Sequence, residues 1–220
     1  MCGITGCIVN NNPSFATEVY FKLLKASDIR GQDGTGLTLL RNKKFYTYKW
    51  PIRARDISFD LALEKGDKII GQNRYAIFGL DFSNNQPITF DNLSLVHNGV
   101  LYNYEKQKKL FEEKYNIYQD TQVDTELIVR LLHLFLSQKI KQKDAIKDVL
   151  SVIDGEAACI CLDCFNSSLY AFMKNKILYR GEDEYGNVYF FSTLYIKNKV
   201  SEISKNIIEF KDCEVFVWNN

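Results

Sequence analysis

Several absences narrow this chain before any motif is read. Among 220 residues there are only three prolines, two histidines and two tryptophans. No stretch is rich in proline, serine or glycine, so nothing marks a linker, and one domain over residues 2–220 is expected. Neither sign of charge is in excess: 28 Lys and Arg stand against 27 Asp and Glu, a formal net charge of +1. A nucleic-acid partner calls for clustered basic residues in surplus. The nearest candidate, Lys106 to Lys109, is followed by Glu112 and Glu113 and reads as a solvated helix face. No apolar run approaches the roughly 18 residues of a membrane span, and the longest, Leu127 to Leu136, is broken by Arg130 and His133. The amino terminus has no basic flank and its apolar run stops at Val9, unlike a secretory leader. A cytoplasmic protein with reduced thiols, and with no nucleic-acid or membrane partner, is the expectation.

Six cysteines are present. Without a leader, their even number does not imply disulfides. Cys159, Cys161 and Cys164 are close enough to suggest zinc, but no second cysteine pair follows at finger spacing and the histidines, His97 and His133, are distant. A structural zinc site wants four nitrogen or sulfur ligands, so no metal is expected. Glu156 to Leu162 reads instead as a buried strand with Cys159 and Cys161 on one face. Cys7 and Cys213 read as small hydrophobes. Cys2 differs by position, since trimming of Met1 would leave a thiol and a free α-amine on one residue. An amine of pKa about 8 is a suitable base for that thiol. A Met-Cys start is equally what an inert cysteine shows.

Strand patterns run over Ile4 to Val9, Gly36 to Leu40, Lys44 to Trp50, Lys68 to Tyr75 and Leu93 to Val100. Helical patterns cover Thr17 to Ser27, Tyr104 to Tyr115, Asp124 to Gln138, with Thr121 and Asp124 offering a cap, and Lys143 to Val152. From Glu156 onward, Ser168 to Met173, Ile177 to Tyr179, Val188 to Ser192 and Glu214 to Trp218 read as strands. Strand-rich ends around a helical middle suggest an α+β domain with more than one sheet.

Five motifs then occur in one order: Met1-Cys2-Gly3-Ile4, Arg30-Gly31-Gln32-Asp33-Gly34-Thr35-Gly36, Gly71-Gln72-Asn73-Arg74-Tyr75-Ala76, His97-Asn98-Gly99 and Asp124-Thr125-Glu126. Asn85-Gln86-Pro87 lies between the third and fourth. The ordered set resembles the class II glutamine amidotransferases, whose glutaminase domains carry an amino-terminal nucleophile. That resemblance implies a four-layer αββα Ntn-hydrolase sandwich of two antiparallel sheets, no cofactor, and free glutamine as substrate. It implies Cys2 as nucleophile, Asn98 and the N–H of Gly99 as oxyanion hole, Arg74 for the α-carboxylate and Asp124 for the α-ammonium. Oxyanion donors and a planar guanidinium fork are the groups this chemistry needs. Read singly, each residue has a plainer use: Arg74 as a surface ion pair, Asn98-Gly99 as a hairpin turn, Asp124 as a helix cap. The loop from Arg30 to Gly36 is expected to support the site, its glycines permitting positive φ and Asp33 bonding backbone amides. His97 is expected to be packed or hydrogen-bonded beside the oxyanion motif, and His133 to be core or surface.

The chain departs from the family at Gln72-Asn73, where His-Thr is common, at Tyr75 for tryptophan and at Ile77 for a threonine that helps bind the glutamine carboxylate. A higher Michaelis constant, or dependence on a partner to order the pocket, is expected from the lost hydroxyl. The chain ends just after the glutaminase portion and shows no phosphate loop. The expectation is a free-standing subunit that hands ammonia to a separate synthase or ATP-dependent ligase. Two alternatives stand beside it: a pseudo-glutaminase that keeps the fold and binds without turnover, and a hydrolase of other γ-glutamyl amides.

Overall fold

A computed structural model describes residues 2–75, 82–139 and 141–219; Met1, Ala76 and Ile77 of the sequence reading lie outside the described residues. The strands form two sheets in which every pairing is antiparallel. In chain order, the first sheet takes β1 (Gly3–Ile8), β2 (Gly34–Arg41), β3 (Lys44–Trp50), β4 (Lys68–Arg74), β9 (Tyr179–Glu182), β10 (Val188–Phe191) and β11 (Lys205–Glu209). Its spatial order is β11-β9-β10-β1-β4-β2-β3. The second sheet takes β5 (Ile88–Phe90), β6 (Leu93–Leu101), β7 (Gly155–Asp163), β8 (Ser168–Lys174) and β12 (Val215–Trp218), in the order β12-β8-β7-β6-β5.

Three apolar layers hold these sheets and the helices together, which makes the α+β fold a four-layer sandwich. Between the sheets lie Ile4 and Ile8 of β1, Ile70 of β4, Val96 of β6 and Ile160 of β7. Outside the first sheet, α1 (Pro13–Ala26) buries Ala16, Val19, Tyr20, Leu23 and Leu24 against Leu37, Ile69 and Tyr189. Outside the second, α2 (Tyr104–Tyr115), α3 (Asp124–Gln138) and α4 (Gln142–Val152) bury Phe111, Leu127, Leu131 and Ile146 against Leu95, Cys159 and Phe172. Each strand therefore sends alternate residues to different layers.

The sequence reading is corrected at several ends. Helix α1 begins at Pro13 instead of Thr17, because proline suits the first helical turn and the Asn12 side chain accepts the Phe15 N–H at 3.4 Å. The short β5 and α5 (Leu194–Lys197) carry too few residues for a period to show, and β11 is exposed along its whole length, so no apolar alternation marks it. The expected strand at Ile177 to Tyr179 is displaced to β9. The Arg30 to Gly36 glycines take no positive φ; within the described residues only Gly66, Gly155 and Gly186 do so among glycines. Of the five thiols read as core, Cys7, Cys159 and Cys161 are buried, Cys164 is half-buried, and Cys213 is exposed at a turn with φ 59°. Burial holds the Cys7, Cys159 and Cys161 thiols well above the ordinary range. Among the described residues no helix is long and apolar enough to cross a membrane.

Candidate functional site

Two strand ends from different sheets meet at the site. Strands β1 and β4 are neighbours with Gly3 opposite Asn73, so Cys2, just before β1, stands beside Arg74 and Tyr75 at the end of β4. The Tyr75 N–H donates to Cys2 Sγ at 3.4 Å, and the thiol lies 3.8 Å from the Tyr75 carbonyl oxygen. Burial pushes the Cys2 thiol up; the Tyr75 N–H and nearby positive charge, Arg74 included, offset this only in part.

From the second sheet comes the far half of β6. Strand β5 covers β6 only from Leu93 to Leu95, so beyond that point one edge of β6 has no neighbouring strand among the described residues. Side chains bond this edge instead. Gln86 Oε1 accepts the His97 N–H at 2.6 Å, Gln72 Nε2 donates to the His97 carbonyl at 2.7 Å, and Asp124 Oδ2 accepts the Leu101 N–H at 3.0 Å. The antiparallel alternation that turns His97 and Leu101 to this edge turns the Gly99 N–H there as well. A Cβ at position 99 would collide with the Glu156 carbonyl and lie 2.5 Å from His97 Nε2, so close approach demands glycine here.

These residues line one cleft of about 670 Å³, which includes Cys2, Arg74, Tyr75, Gln86, His97, Gly99, Tyr104 and Asp124. Four of the five residues singled out from the sequence thus border the same space. The fifth, Asn98, does not line the cleft; it is 2% exposed and sits on the β6 face of Val96, toward the layer between the sheets. None of the plainer uses holds. Arg74 is buried and not at the surface, and Asn98-Gly99 lies inside a strand. Asp124 is not the cap of α3, since Val123 takes that place and the Asp124 carboxylate reaches across to β6. Thr121 bonds Glu126 at 2.7 Å rather than capping from outside.

The electrostatics set these groups apart. Burial alone would raise the Asp124 pKa, but His97, with Nδ1 3.4 Å from Oδ1, and the Leu101 and Thr125 N–H groups hold it below the usual carboxylate range. Burial lowers the Arg74 pKa while the Cys2 and Asp33 charges oppose that. Arg74 Nη1 donates to Asn85 Oδ1 at 2.9 Å. The Asn85-Gln86-Pro87 segment reaches these positions by crossing β2 at its glycines: a Cβ at Gly34 would lie 2.6 Å from Asn85 Nδ2, and one at Gly36 would strike the Gln86 carbonyl. Gly31 packs on the Arg74 backbone, and the Asp33 N–H donates to the Arg74 carbonyl at 3.0 Å. The supporting loop therefore works through close approach, not through left-handed backbone. His97 is packed at 2% exposure, its ring within 3.4 Å of Thr125 Oγ1 and of the Glu156 carbonyl oxygen.

Sequence reading missed Gln72, Asn85, Gln86 and Thr125 as parts of this site. Gln72, Asn85 and Gln86 share amide polarity inside a buried strand or connector, and Thr125 is a hydroxyl in the first turn of α3; all four are at 7% exposure or less.

A family profile described as "Glutamine amidotransferase domain" matches residues 72–196. The glutamine–fructose-6-phosphate aminotransferase (isomerizing) of Listeria monocytogenes is 29% identical over 99% of this chain and 35% of its own length. The enzyme of the same name in Staphylococcus aureus is 31% identical over 80% of this chain and 29% of its own. The chain thus spans about a third of the length of these relatives. Among solved structures, the glutamine phosphoribosylpyrophosphate amidotransferase of B. subtilis superposes with a TM-score of 0.79 at 23% identity, covering 100% of this chain and 47% of that one. A predicted glutamine amidotransferase from Pseudomonas aeruginosa gives 0.59 at 14% identity, covering 99% and 92%. Both likenesses are of fold.

Proposed function

Because the chain belongs to the class II glutamine amidotransferase domains, we propose that it hydrolyses the side-chain amide of free glutamine to glutamate and ammonia, with Cys2 as nucleophile. The observation that carries this reading is the convergence of Cys2, Arg74, Gly99 and Asp124, from four separate stretches of chain, on one cleft. With Met1 removed, the Cys2 α-amine takes the thiol proton and leaves the thiolate as nucleophile. The sulfur attacks the amide carbon, and the Gly99 N–H receives the charge that develops on oxygen. The amine's proton passes to the leaving nitrogen, ammonia departs, and water clears the glutamyl thioester. Arg74 takes the α-carboxylate as a charged fork and Asp124 the α-ammonium, so the two ends select the free amino acid.

The ammonia passes, in this reading, to a synthase or ligase unit that aminates an acceptor; the aminotransferase names of the longer relatives support it. The test is ammonia release from glutamine by protein whose intact mass shows Met1 absent, alone and with candidate partners. Release that Cys2→Ala abolishes, with the fold retained, supports the proposal. A processed chain that binds glutamine without releasing ammonia, and whose Cys2 escapes a glutamine-analogue electrophile, would instead be a binding subunit.

A further inference from the structure

Strand β6 is held to the other sheet at two places. Ser94 Oγ donates to Thr38 Oγ1 of β2 at 3.0 Å, and Gln72 Nε2 of β4 donates to the His97 carbonyl at 2.7 Å. The second contact sits immediately before Asn98-Gly99 on β6. On β4 it lies two residues before Arg74, and its register partner Ile4 lies two residues after Cys2. Gln72 therefore spans the layer at the point where the strand ends bearing thiol and oxyanion donors come together.

We propose that Gln72 is a positioning residue for this glutaminase chemistry, fixing the height of β6 above β4 so that the Gly99 N–H meets the oxygen of the tetrahedral intermediate. The inference rests on the functional reading above. A role in holding the sheets together fits the side chain poorly. Gln72 is 1% exposed, and its Oε1 has no hydrogen-bond partner among the described residues. A buried acceptor left unpaired weakens a fold. An apolar side chain of equal length removes that unpaired oxygen but takes the Nε2 donor from the buried His97 carbonyl, so the amide gains the fold little and its distinctive effect is to place that carbonyl. Its orientation is fixed, because only Nε2 can face the His97 oxygen. Gln86 closes the clamp by accepting the His97 N–H at 2.6 Å, which leaves the His97 peptide groups on this edge little freedom to shift. Placement matters here because a preorganised donor loses its effect when it stands even slightly away from the developing charge.

The experiment uses the full chain processed to begin at Cys2, with Gln72→Met and Gln72→His beside the unaltered protein. Three quantities are read: kcat and KM for glutamine, the affinity for glutamate, and the affinity for the γ-aldehyde analogue of glutamine, which adds Cys2 to form a tetrahedral thiohemiacetal. For Gln72→Met we expect kcat and aldehyde affinity to fall together by at least about tenfold, with glutamate affinity within twofold and thermal stability little changed, since one unpaired buried acceptor is exchanged for another. Gln72→His, whose ring N–H can reach the same carbonyl, restores most of the loss. A Gln72→Met protein with kcat within twofold of the original overturns the proposal. So does one that loses glutamate and aldehyde affinity in parallel, or one that fails to fold, since the residue is then structural. If the unaltered processed chain neither releases ammonia nor binds the aldehyde, the functional reading fails first, which is a distinct result.

Discussion

Replacing Asp124 by asparagine keeps the side chain's shape and removes its charge, which separates the bond it makes to β6 from the substrate-reading role proposed for it. One oxygen accepts the Leu101 N–H at 3.0 Å and so secures the unpaired edge of β6; the other lies 3.4 Å from His97 and faces the cleft. Asparagine still offers its carbonyl to Leu101. It no longer offers an anion to the glutamine ammonium. A hydrogen bond to a charged group contributes about 1.5–3 kcal/mol, so KM for glutamine should rise roughly 10- to 150-fold with kcat within a few-fold. Alanine removes both jobs. It strands the buried Leu101 N–H at a cost of about 1–3 kcal/mol, which lowers Tm by about 2–12 °C for a chain of this size. The assays are steady-state ammonia release and thermal denaturation on all three proteins. If asparagine leaves KM unchanged while alanine destabilises, Asp124 is only a strap for β6, and its role in reading the substrate is refuted.

Gly99→Ala forces a methyl into the Glu156 carbonyl and the His97 ring, so kcat should drop by at least about tenfold and stability should fall; a fully active variant would show that the edge of β6 is not the oxyanion site. Asn85→Ala removes the acceptor for Arg74 Nη1, and KM should rise about 10-fold or more, the size of a charge-assisted bond, with kcat retained. Glu126→Gln should lower stability by about 1–3 kcal/mol near neutral pH. Burial alone would raise the Glu126 pKa, but the Asp120 N–H, the Thr121 hydroxyl and N–H, and Arg130 hold it below the ordinary glutamate value. The carboxylate's contribution is therefore complete above pH about 4.3 and lost as pH falls through the lower folded pKa. Denaturation curves of the two proteins should converge in acid; a constant gap down to the lowest pH would contradict this.

The fold was legible where periods are long. Helices α2, α3 and α4 begin and end within a residue of their expected bounds; α3 and α4 carry several turns of one-sided apolar residues, and α2 sets Phe111 and its flanking tyrosines against a charged face. Strand β5 was not, since three residues hold no pattern and its register comes from β6. At the site, Arg74 and Asp124 stood out as charges within motifs, while Gln72 and Gln86 did not. Neutral amides carry no periodic signal, and their use depends on which strand edge lies without a neighbour, a fact of three-dimensional pairing. The glycines of the Arg30 to Gly36 loop were noticed for the wrong reason: composition shows that a Cβ is missing, and only packing shows whether φ or space requires it.

The position of β1 in the middle of its sheet bears on the order of events during synthesis. One flank, β4, is made early, but the other pairs Ile8 with Val188, so the slot that receives the amino terminus is incomplete until late in translation. At common synthesis rates that interval is on the order of ten seconds or more. Throughout it β1 has β4 as its one strand neighbour, and the edge that later takes Val188 to Phe191 stays open.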